Sequence, residues 1–146
     1  MIEFWVPGTP VPQGSSRAFI KGGRAVLVSR TRPLIAWRRA ISDEAERTMK
    51  MQQPWHGPVT LTLTFYRSPI KDKRKLQDPP TSRPDLDKLI RAALDALTGI
   101  VYWDDSQVTT ILAEKRWGRP GVNVRATSHA AVQPSQDRSN AQHQLP

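Results

Sequence analysis

The stretch RPDLDKLIRAALDALTG, residues 83–99, predicts the central element of the fold. Its apolar side chains recur at the i, i+3, i+4, i+7 spacing of one helix face: Leu86, Leu89, Ile90, Ala93, Leu94 and Leu97. The residue before a proline favours extended geometry, so Pro84 places the helix start at about Asp85. Gly99 can end the helix. The stretch therefore predicts an amphipathic helix with carboxylates at its start.

The sequence on both sides of this helix alternates between strand and helix patterns. In GPVTLTLTFY, residues 57–66, apolar side chains alternate with polar ones, which is typical of a strand with one buried face. The other predicted elements, in chain order, are a strand at 1–6, a hairpin at 17–28, a helix at 33–50, a strand at about 107–117 and a last strand at 122–126. The order β-ββ-α-β-α-ββ predicts a small single α+β domain, a mixed β-sheet with two main helices packed on it.

Length and composition limit the class of protein. The 146 residues fit one domain, predicted over residues 1–127, and residues 128–146 are predicted to form a polar, disordered tail. No stretch approaches the ~18 apolar residues of a membrane span, and the start of the chain lacks the pattern of a signal peptide. The absence of cysteine excludes a thiol nucleophile, a zinc–thiolate site and disulfides, and it fits the reducing cytoplasm, which is the expected location.

The charge balance indicates a polyanionic partner. The chain has 22 Lys and Arg against 13 Asp and Glu, a formal charge of +9 and a pI near 10.7. Nucleic acid is the first expectation and an anionic membrane surface the second, while a merely soluble basic protein explains the composition equally well. Six of the basic residues fall in the segment 67–84, a proline-rich loop, and loops of this length are often functional.

Five of the 13 acidic residues fall between residues 85 and 105, directly after that basic loop. Asp85 at the helix boundary and Asp87 in the first turn can lean toward one point. If VYWDD runs back toward the helix start, one aspartate of the pair Asp104-Asp105 meets them. Facing carboxylates repel unless a cation lies among them, and oxygen ligands select Mg²⁺, with Mn²⁺ as a substitute. A basic loop beside such a site is what a phosphodiesterase needs.

A structural interpretation of the acids competes with the metal site. Asp85 can act as a helix N-cap and Asp87 can pair with Arg91, and for either aspartate alone this interpretation is favoured. Asp95 is expected to form a surface ion pair with Arg91, and Glu114 is expected on an exposed strand surface rather than as a fourth ligand. The second acidic pair after the helix weakens the structural interpretation.

Residues 83–108, RPDLDKLIRAALDALTGIVYWDDSQV, closely resemble the signature of RusA-type endodeoxyribonucleases, Holliday-junction resolvases often carried by phages and prophages. The shared features are D-L-D opening a helix, an A-L-D-A-L-like middle and D-D-x-Q-V after an aromatic residue. VPGTPVPQGSSRAF is similar to the proline-rich opening of many members. The resemblance implies that Asp85, Asp87 and Asp105 are the Mg²⁺-binding catalytic carboxylates, with Asp104 as a neighbour. It also implies a homodimer that resolves four-way DNA junctions by paired nicks, in DNA recombination and repair.

Two positions depart from the family pattern. Lys88 stands where the family often has Asn, and Arg91 stands where its best-known member has a catalytic lysine. Arginine keeps the charge and can grip a phosphate bidentately, but it does not easily give up a proton. A catalytic role for Arg91 in stabilising the pentacovalent phosphate is therefore expected, and a role as general acid is not.

Basic residues are predicted to follow the DNA backbone: Arg17, Lys21, Lys71, Lys73, Arg74, Lys75 and Lys88. A solvated surface explains each of the loop cations about as well. Tyr102 and Trp103 are candidates for stacking on exposed bases at a branch point, although core packing is expected for at least one of them.

Two other functions fit the same residues. One is a Mg²⁺-dependent nuclease that cuts flaps or nicked duplex without preferring junctions. The other is a non-catalytic DNA- or RNA-binding module whose aspartates only cap and pair. A restriction-type PD-(D/E)xK site is disfavoured because no well-placed D/E-x-Lys follows Pro84-Asp85.

Overall fold

The computed structural model describes residues 1–14, 17–28 and 32–129, and at 17–21 and 25–28 it describes the backbone alone. The side chains of Arg17 and Lys21, and residues 130–146 of the predicted tail, therefore lie outside the described residues. In the part of the chain that is described, no helix is long and apolar enough to cross a bilayer.

The predicted order of elements is confirmed, and so is the α+β class. The elements are β1 (Ile2–Pro7), β2 (Arg17–Lys21), β3 (Arg24–Val28), α1 (Arg32–Met49), β4 (Val59–Arg67), α2 (Leu86–Leu97), β5 (Val108–Trp117) and β6 (Gly121–Ser128). Two short 3-10 turns, Lys73–Lys75 and Asp105–Gln107, lie in the connections. β6 includes Ser128, the first residue of the predicted tail.

Four strands form one mixed sheet in the order β1-β6-β4-β5, and β2 pairs with β3 in a separate hairpin. β4 and β5 are parallel, while β6 is antiparallel to both β1 and β4. Parallel neighbours need a crossover connection, and α2 supplies it between β4 and β5. α2 therefore runs against the direction of these two strands, so its two ends lie at opposite ends of the sheet.

The core lies between one face of the sheet and the two helices. Both helices present a buried stripe: Leu34, Trp37, Ile41, Ala45 and Met49 from α1, and Leu89, Ala92, Ala93, Ala96 and Leu97 from α2. The inward residues of β4 are the predicted ones, Val59, Leu61, Leu63 and Phe65. Three of the buried residues of α2 are alanines, whose small side chains allow a helix to pack closely against its neighbours.

Candidate active site

The amino-terminal end of α2 presents two exposed carboxylates. Asp85 is the N-cap residue, with extended backbone (φ −70°, ψ 139°), yet its side chain makes no capping hydrogen bond. It forms an ion pair with Lys88, with Nζ 3.3 Å from Oδ2, and both side chains are about half exposed. The predicted ion pair between Asp87 and Arg91 does not form among the described residues. Because exposed ion pairs contribute only ~0–1 kcal/mol, Asp85 stays available to a ligand.

Side chains from the ends of two strands hold the segment that leads into α2. Lys115 Nζ donates to the backbone oxygens of Ser82 at 2.9 Å and of Pro84 at 3.0 Å. Arg67 Nη1 donates to Ser82 Oγ at 3.2 Å and also to the backbone oxygen of Arg83. These bonds tie the residue before Asp85 to the carboxyl ends of β4 and β5.

Trp117 extends this attachment to the middle of the basic loop, because its indole Nε1 donates to the backbone oxygen of Gln77 at 2.8 Å. The roles of Trp117, Lys115 and Arg67 were not predicted from the sequence. No local pattern marks them, since the carbonyls that they bind lie 16 to 40 residues away along the chain.

The proline-rich N-terminal loop forms one wall of a cleft beside Asp85. The cleft has a volume of about 450 Å³ and is lined by Pro12, Gly14, Arg83, Pro84, Asp85 and Lys88. Gln13 attaches the loop to α2, because its backbone N donates to the Lys88 oxygen at 3.0 Å and its Nε2 donates to Asp95 Oδ2 at 2.6 Å. The prediction that Asp95 pairs with Arg91 is therefore wrong, since a residue 82 positions away binds Asp95 instead.

The carboxyl-terminal end of α2 is closed by a buried tyrosine. The Tyr102 hydroxyl donates to the Leu94 oxygen at 2.9 Å, and the Tyr102 oxygen accepts from the Gly99 backbone at 2.7 Å. Burial raises the pKa of Tyr102 above its usual range, so the phenol stays neutral and remains a donor. Tyr102 is thus a core residue, which confirms the packing interpretation for one of the two aromatic candidates.

The adjacent Trp103 is 49% exposed and lies next to His56, for which no role was predicted. Its indole Nε1 donates to His56 Nε2 at 3.3 Å, and the ring centroids are 6.1 Å apart at an angle of 40°. The pair forms an accessible aromatic surface beside the second acidic group.

In the D-D-x-Q motif, two residues form a capping box. Asp104 Oδ1 accepts from the Ser106 backbone N at 2.8 Å, and Gln107 Oε1 accepts from the Asp104 backbone N at 3.0 Å. The bond from Ser106 lowers the pKa of Asp104 below its usual value. Gln107 Nε2 also donates to the oxygens of Trp55 and Gly57 at 2.8 and 3.0 Å, which ties the turn to the start of β4.

Asp105 is exposed and takes no part in this capping box. The motif therefore divides into a structural aspartate, Asp104, and an aspartate whose carboxylate faces solvent, which is the one that the family resemblance assigns to the metal. The spacing of a capping box, an N-cap aspartate followed three residues later by glutamine, was the signal for Gln107.

The two acidic groups lie far apart in one chain. Asp85 follows Pro84, which Lys115 binds at the carboxyl end of β5, whereas Asp105 precedes the first residue of β5. The 12 residues of α2 span ~18 Å, so the groups are separated by roughly 20 Å. The expectation that VYWDD runs back to the helix start is therefore wrong for a single chain, because the return path is β5 itself and begins only at Val108.

Neither acidic group alone supplies the three carboxylates of the predicted metal site. Among the described residues, no set of three or more Asp, Glu or His side chains is close enough to hold a metal ion. One chain by itself does not assemble the predicted set of Asp85, Asp87 and Asp105.

The predicted DNA-contacting cations of the loop are exposed: Lys71, Lys73, Arg74 and Lys75. Three of them form the turn Lys73–Lys75, which Asp72 caps by accepting from the Arg74 backbone N at 3.1 Å. Glu114 is exposed and lies 3.0 Å from Arg116, which confirms its predicted place on the strand surface. The loop thus presents a row of accessible positive charge on the connection that ends at Asp85.

The protein is a small α+β domain with exposed carboxylates beside a cationic loop. This arrangement is typical of a protein that cleaves phosphodiester bonds, because the carboxylates can hold a metal and the loop can bind the backbone. Comparison with known proteins agrees. The profile of the family described as "Endodeoxyribonuclease RusA" matches residues 7–127. The chain therefore belongs to the RusA family and is an endodeoxyribonuclease.

Two relatives illustrate the similarity. The "Uncharacterized protein YqaN" of Bacillus subtilis (strain 168) is 28% identical over 134 residues, 84% of this chain and 93% of YqaN. The "Crossover junction endodeoxyribonuclease rusA" of Lactococcus phage r1t is 41% identical over 59 residues, 40% of this chain and 44% of the phage protein.

Proposed function

We propose that the protein is a structure-selective endodeoxyribonuclease that resolves Holliday junctions by paired nicks, in DNA recombination and repair. Family membership and the name of the phage relative support this activity. The observation that carries the proposal is the exposed pair Asp85 and Asp87 at the start of a helix, at the end of a loop rich in Lys and Arg. A cytoplasmic location and a role in a phage or prophage complete the proposal.

Magnesium is the proposed ion, with Mn²⁺ as a substitute. The candidate ligands are carboxylates, hard oxygen donors that favour these ions, and the chain has no cysteine that would favour a softer metal. We assign Asp85, Asp87 and Asp105 as the ligands and as catalytic residues. Because one chain keeps Asp105 roughly 20 Å from the other two, the set needs a contribution from a second chain.

A homodimer provides that contribution. If a two-fold axis sets the α2 helices of two copies antiparallel, the amino end of each helix lies beside the carboxyl end of the other. Asp105 of the second copy then approaches Asp85 and Asp87, and symmetry produces two such sites. Two equivalent sites about one helix length apart suit an enzyme that cuts two symmetry-related strands.

The remaining assignments concern charge. Arg91, exposed on α2 one helical turn after Asp87, stabilises negative charge on the phosphate in the transition state. Lys88 and the loop cations, with Arg17 and Lys21 from the hairpin, hold the DNA backbone. Such contacts do not read sequence, so affinity falls steeply as the salt concentration rises.

The test is to incubate the purified protein with a synthetic mobile four-way junction, with Mg²⁺ or with EDTA, and to map the nicks. We expect symmetrically placed nicks that need the metal. Linear duplex and flap substrates are the controls: equal cutting of flaps supports the less selective nuclease, and no product with any divalent ion supports the binding module.

A further inference from the structure

A second cavity lies beside the carboxyl-terminal half of β5 and adjoins the amino-terminal end of α2. Its volume is about 650 Å³, within the range of ~300–1,000 Å³ for small-ligand sites. Five of its lining residues present mostly apolar surface: Pro79, Pro80, Leu86, Ala113 and Trp117. Leu86 stands between Asp85 and Asp87 in the chain, so the cavity is next to the proposed catalytic carboxylates.

The walls of this cavity are held in place. The Trp117 indole is fixed by its bond to the Gln77 oxygen at 2.8 Å, and Pro80 is buried. Lys115 is fixed by the Ser82 and Pro84 oxygens. The cavity is therefore a preformed space with a rigid aromatic ring on its surface.

The cavity also follows the open edge of the sheet. It is lined by residues 113–117 in succession, and since their side chains alternate between the two faces, a space that touches all five lies along the edge of the strand. β5 is the last strand of the described sheet and pairs with β4 on one side only. An edge strand presents unpaired backbone N–H and C=O groups, which are hydrogen-bond donors and acceptors.

Flat apolar walls combined with hydrogen-bonding groups along one edge match the chemistry of a nucleobase. Proteins bind unpaired bases by stacking the ring on aromatic side chains and bonding the polar edge. The charged residues that line the cavity are balanced, Lys115 and Arg116 against Asp78 and Glu114, and Arg116 is paired with Glu114, so recognition rests on stacking and on the polar edge of the strand. A base that is held weakly in its pair costs the least to place in such a pocket, and the base pairs that flank a branch point lack the continuous stacking of a linear duplex, so they open more easily.

From these features we infer that the cavity binds one unpaired base of branched DNA, next to the phosphate that is cut. The inference rests on the proposed function and adds the group through which the enzyme recognises branched substrates. Fully paired duplex lacks a free base, so it gains nothing from the cavity and binds through its backbone alone.

The first experiment uses the wild-type protein. The fluorescent base 2-aminopurine replaces, one at a time, each base flanking the branch point of a four-way junction, and the protein is added in EDTA. We expect the fluorescence of one position in each cut strand to change, because that base exchanges its stacked neighbours for Trp117 and the prolines. The same labels in linear duplex show no such change.

The second experiment fills the cavity with Ala113→Met. The control is Ile111→Met, on the same face of β5 and two residues before the cavity. Base stacking in such sites accounts for roughly a 5- to 150-fold difference in affinity, so Ala113→Met loses junction binding by that order while duplex binding is kept. An abasic nucleotide at the responding position weakens the wild type by the same factor and leaves Ala113→Met unchanged.

The outcomes separate this inference from the proposed function. Junction cutting by the wild type, together with no position-specific fluorescence and equal affinities for Ala113→Met and Ile111→Met, overturns the base pocket alone. Failure of the wild type to cut branched DNA with any divalent ion overturns the proposed function, and the base pocket with it. In a third outcome, Ala113→Met changes its oligomeric mass but keeps the 2-aminopurine response. That result shows that the cavity is a contact between protein chains, and it also overturns the base pocket.

Discussion

The two ends of α2 are built by different means. At the amino-terminal end, Lys115 and Arg67 reach across from the strands to hold the chain before Asp85, whose carboxylate makes no cap. At the carboxyl-terminal end, a local capping box positions the turn, and Asp104 is part of it. Long-range attachment therefore leaves both carboxylates at the amino-terminal end available to a ligand. The local motif at the carboxyl-terminal end uses Asp104, so only the Asp105 carboxylate is available there.

The largest effect is expected from removing one carboxylate at either end. Asp87→Asn and Asp105→Asn should each abolish junction cutting while leaving junction binding intact, because an amide keeps the size of the side chain and removes the negative charge that holds a cation. Cleavage and gel-shift assays of the same preparations measure the two properties. Normal turnover by either variant contradicts the assignment.

Mixing these two inactive variants tests whether the ends act across chains. In a mixed dimer with shared sites, one site carries both substitutions and the other carries neither, so activity returns at up to about a quarter of the wild-type number of sites. If each site is formed within one chain, every site carries a substitution and no activity returns. Subunit exchange confirmed by native mass spectrometry is the control.

The next effect concerns the long-range attachment at the amino-terminal end. Lys115→Met removes the donor to the Ser82 and Pro84 oxygens and keeps the apolar stem, so the carboxylates at positions 85 and 87 lose their fixed place. We expect a loss of cutting of roughly 100-fold, since a displacement of ~1 Å is enough for that, with a smaller loss of junction binding. Lys115→Arg is the matched control and should recover part of kcat. An unchanged kcat in Lys115→Met shows that the attachment does not position the site.

The local motif at the other end should matter mainly for stability. Gln107→Ala removes hydrogen bonds to four backbone groups, and we expect the free energy of unfolding to fall by about 1–3 kcal/mol in urea titrations. Gln107→Glu is the closest control, because it keeps the acceptor for Asp104 and Trp103 but replaces the donor to Trp55 and Gly57 with a carboxylate oxygen that both carbonyls repel, so it should also be destabilised. Equal stability of all three proteins contradicts the role assigned to Gln107.

The smallest effect is a pH dependence. The pKa of Asp104 is lower in the folded protein than in the unfolded chain, so its ionised form favours folding at pH values above the ordinary Asp pKa of ~3.9. That contribution is lost as the pH falls through the lower, folded pKa. Asp104→Asn keeps a good N-cap but does not titrate, so the stability difference between it and the wild type should be constant from pH 5 to 8 and change only below about pH 4. A difference that changes between pH 5 and 8 points to another group.

Elements with local patterns were predictable from the sequence. The apolar spacing of Leu86, Leu89 and Ala93 and the alternation in β4 depend only on neighbouring residues, and both elements form where they were predicted. The exposure of Glu114 also follows from its local position on the strand.

Features that depend on tertiary pairing were not predictable. The distance between Asp85 and Asp105 is set by the parallel pairing of β4 with β5, which the sequence does not display. The bond from Gln13 to Asp95 crosses 82 residues, and Lys115 binds a carbonyl 31 residues away. The pattern of acids alone therefore did not show where one chain places these carboxylates.

The pairing of β1 with β6 has a consequence for how the chain folds during synthesis. Ile2 lies opposite Ala126, and β6 separates β1 from β4 in the sheet. Until the ribosome has released the segment that forms β6, β1 has no neighbour and β4 exposes a free edge. Such unpaired edges are where nascent chains aggregate, and pairing of residues this distant is slow. A chain that stops before residue 121 therefore leaves β1 without its partner strand and one edge of β4 unpaired.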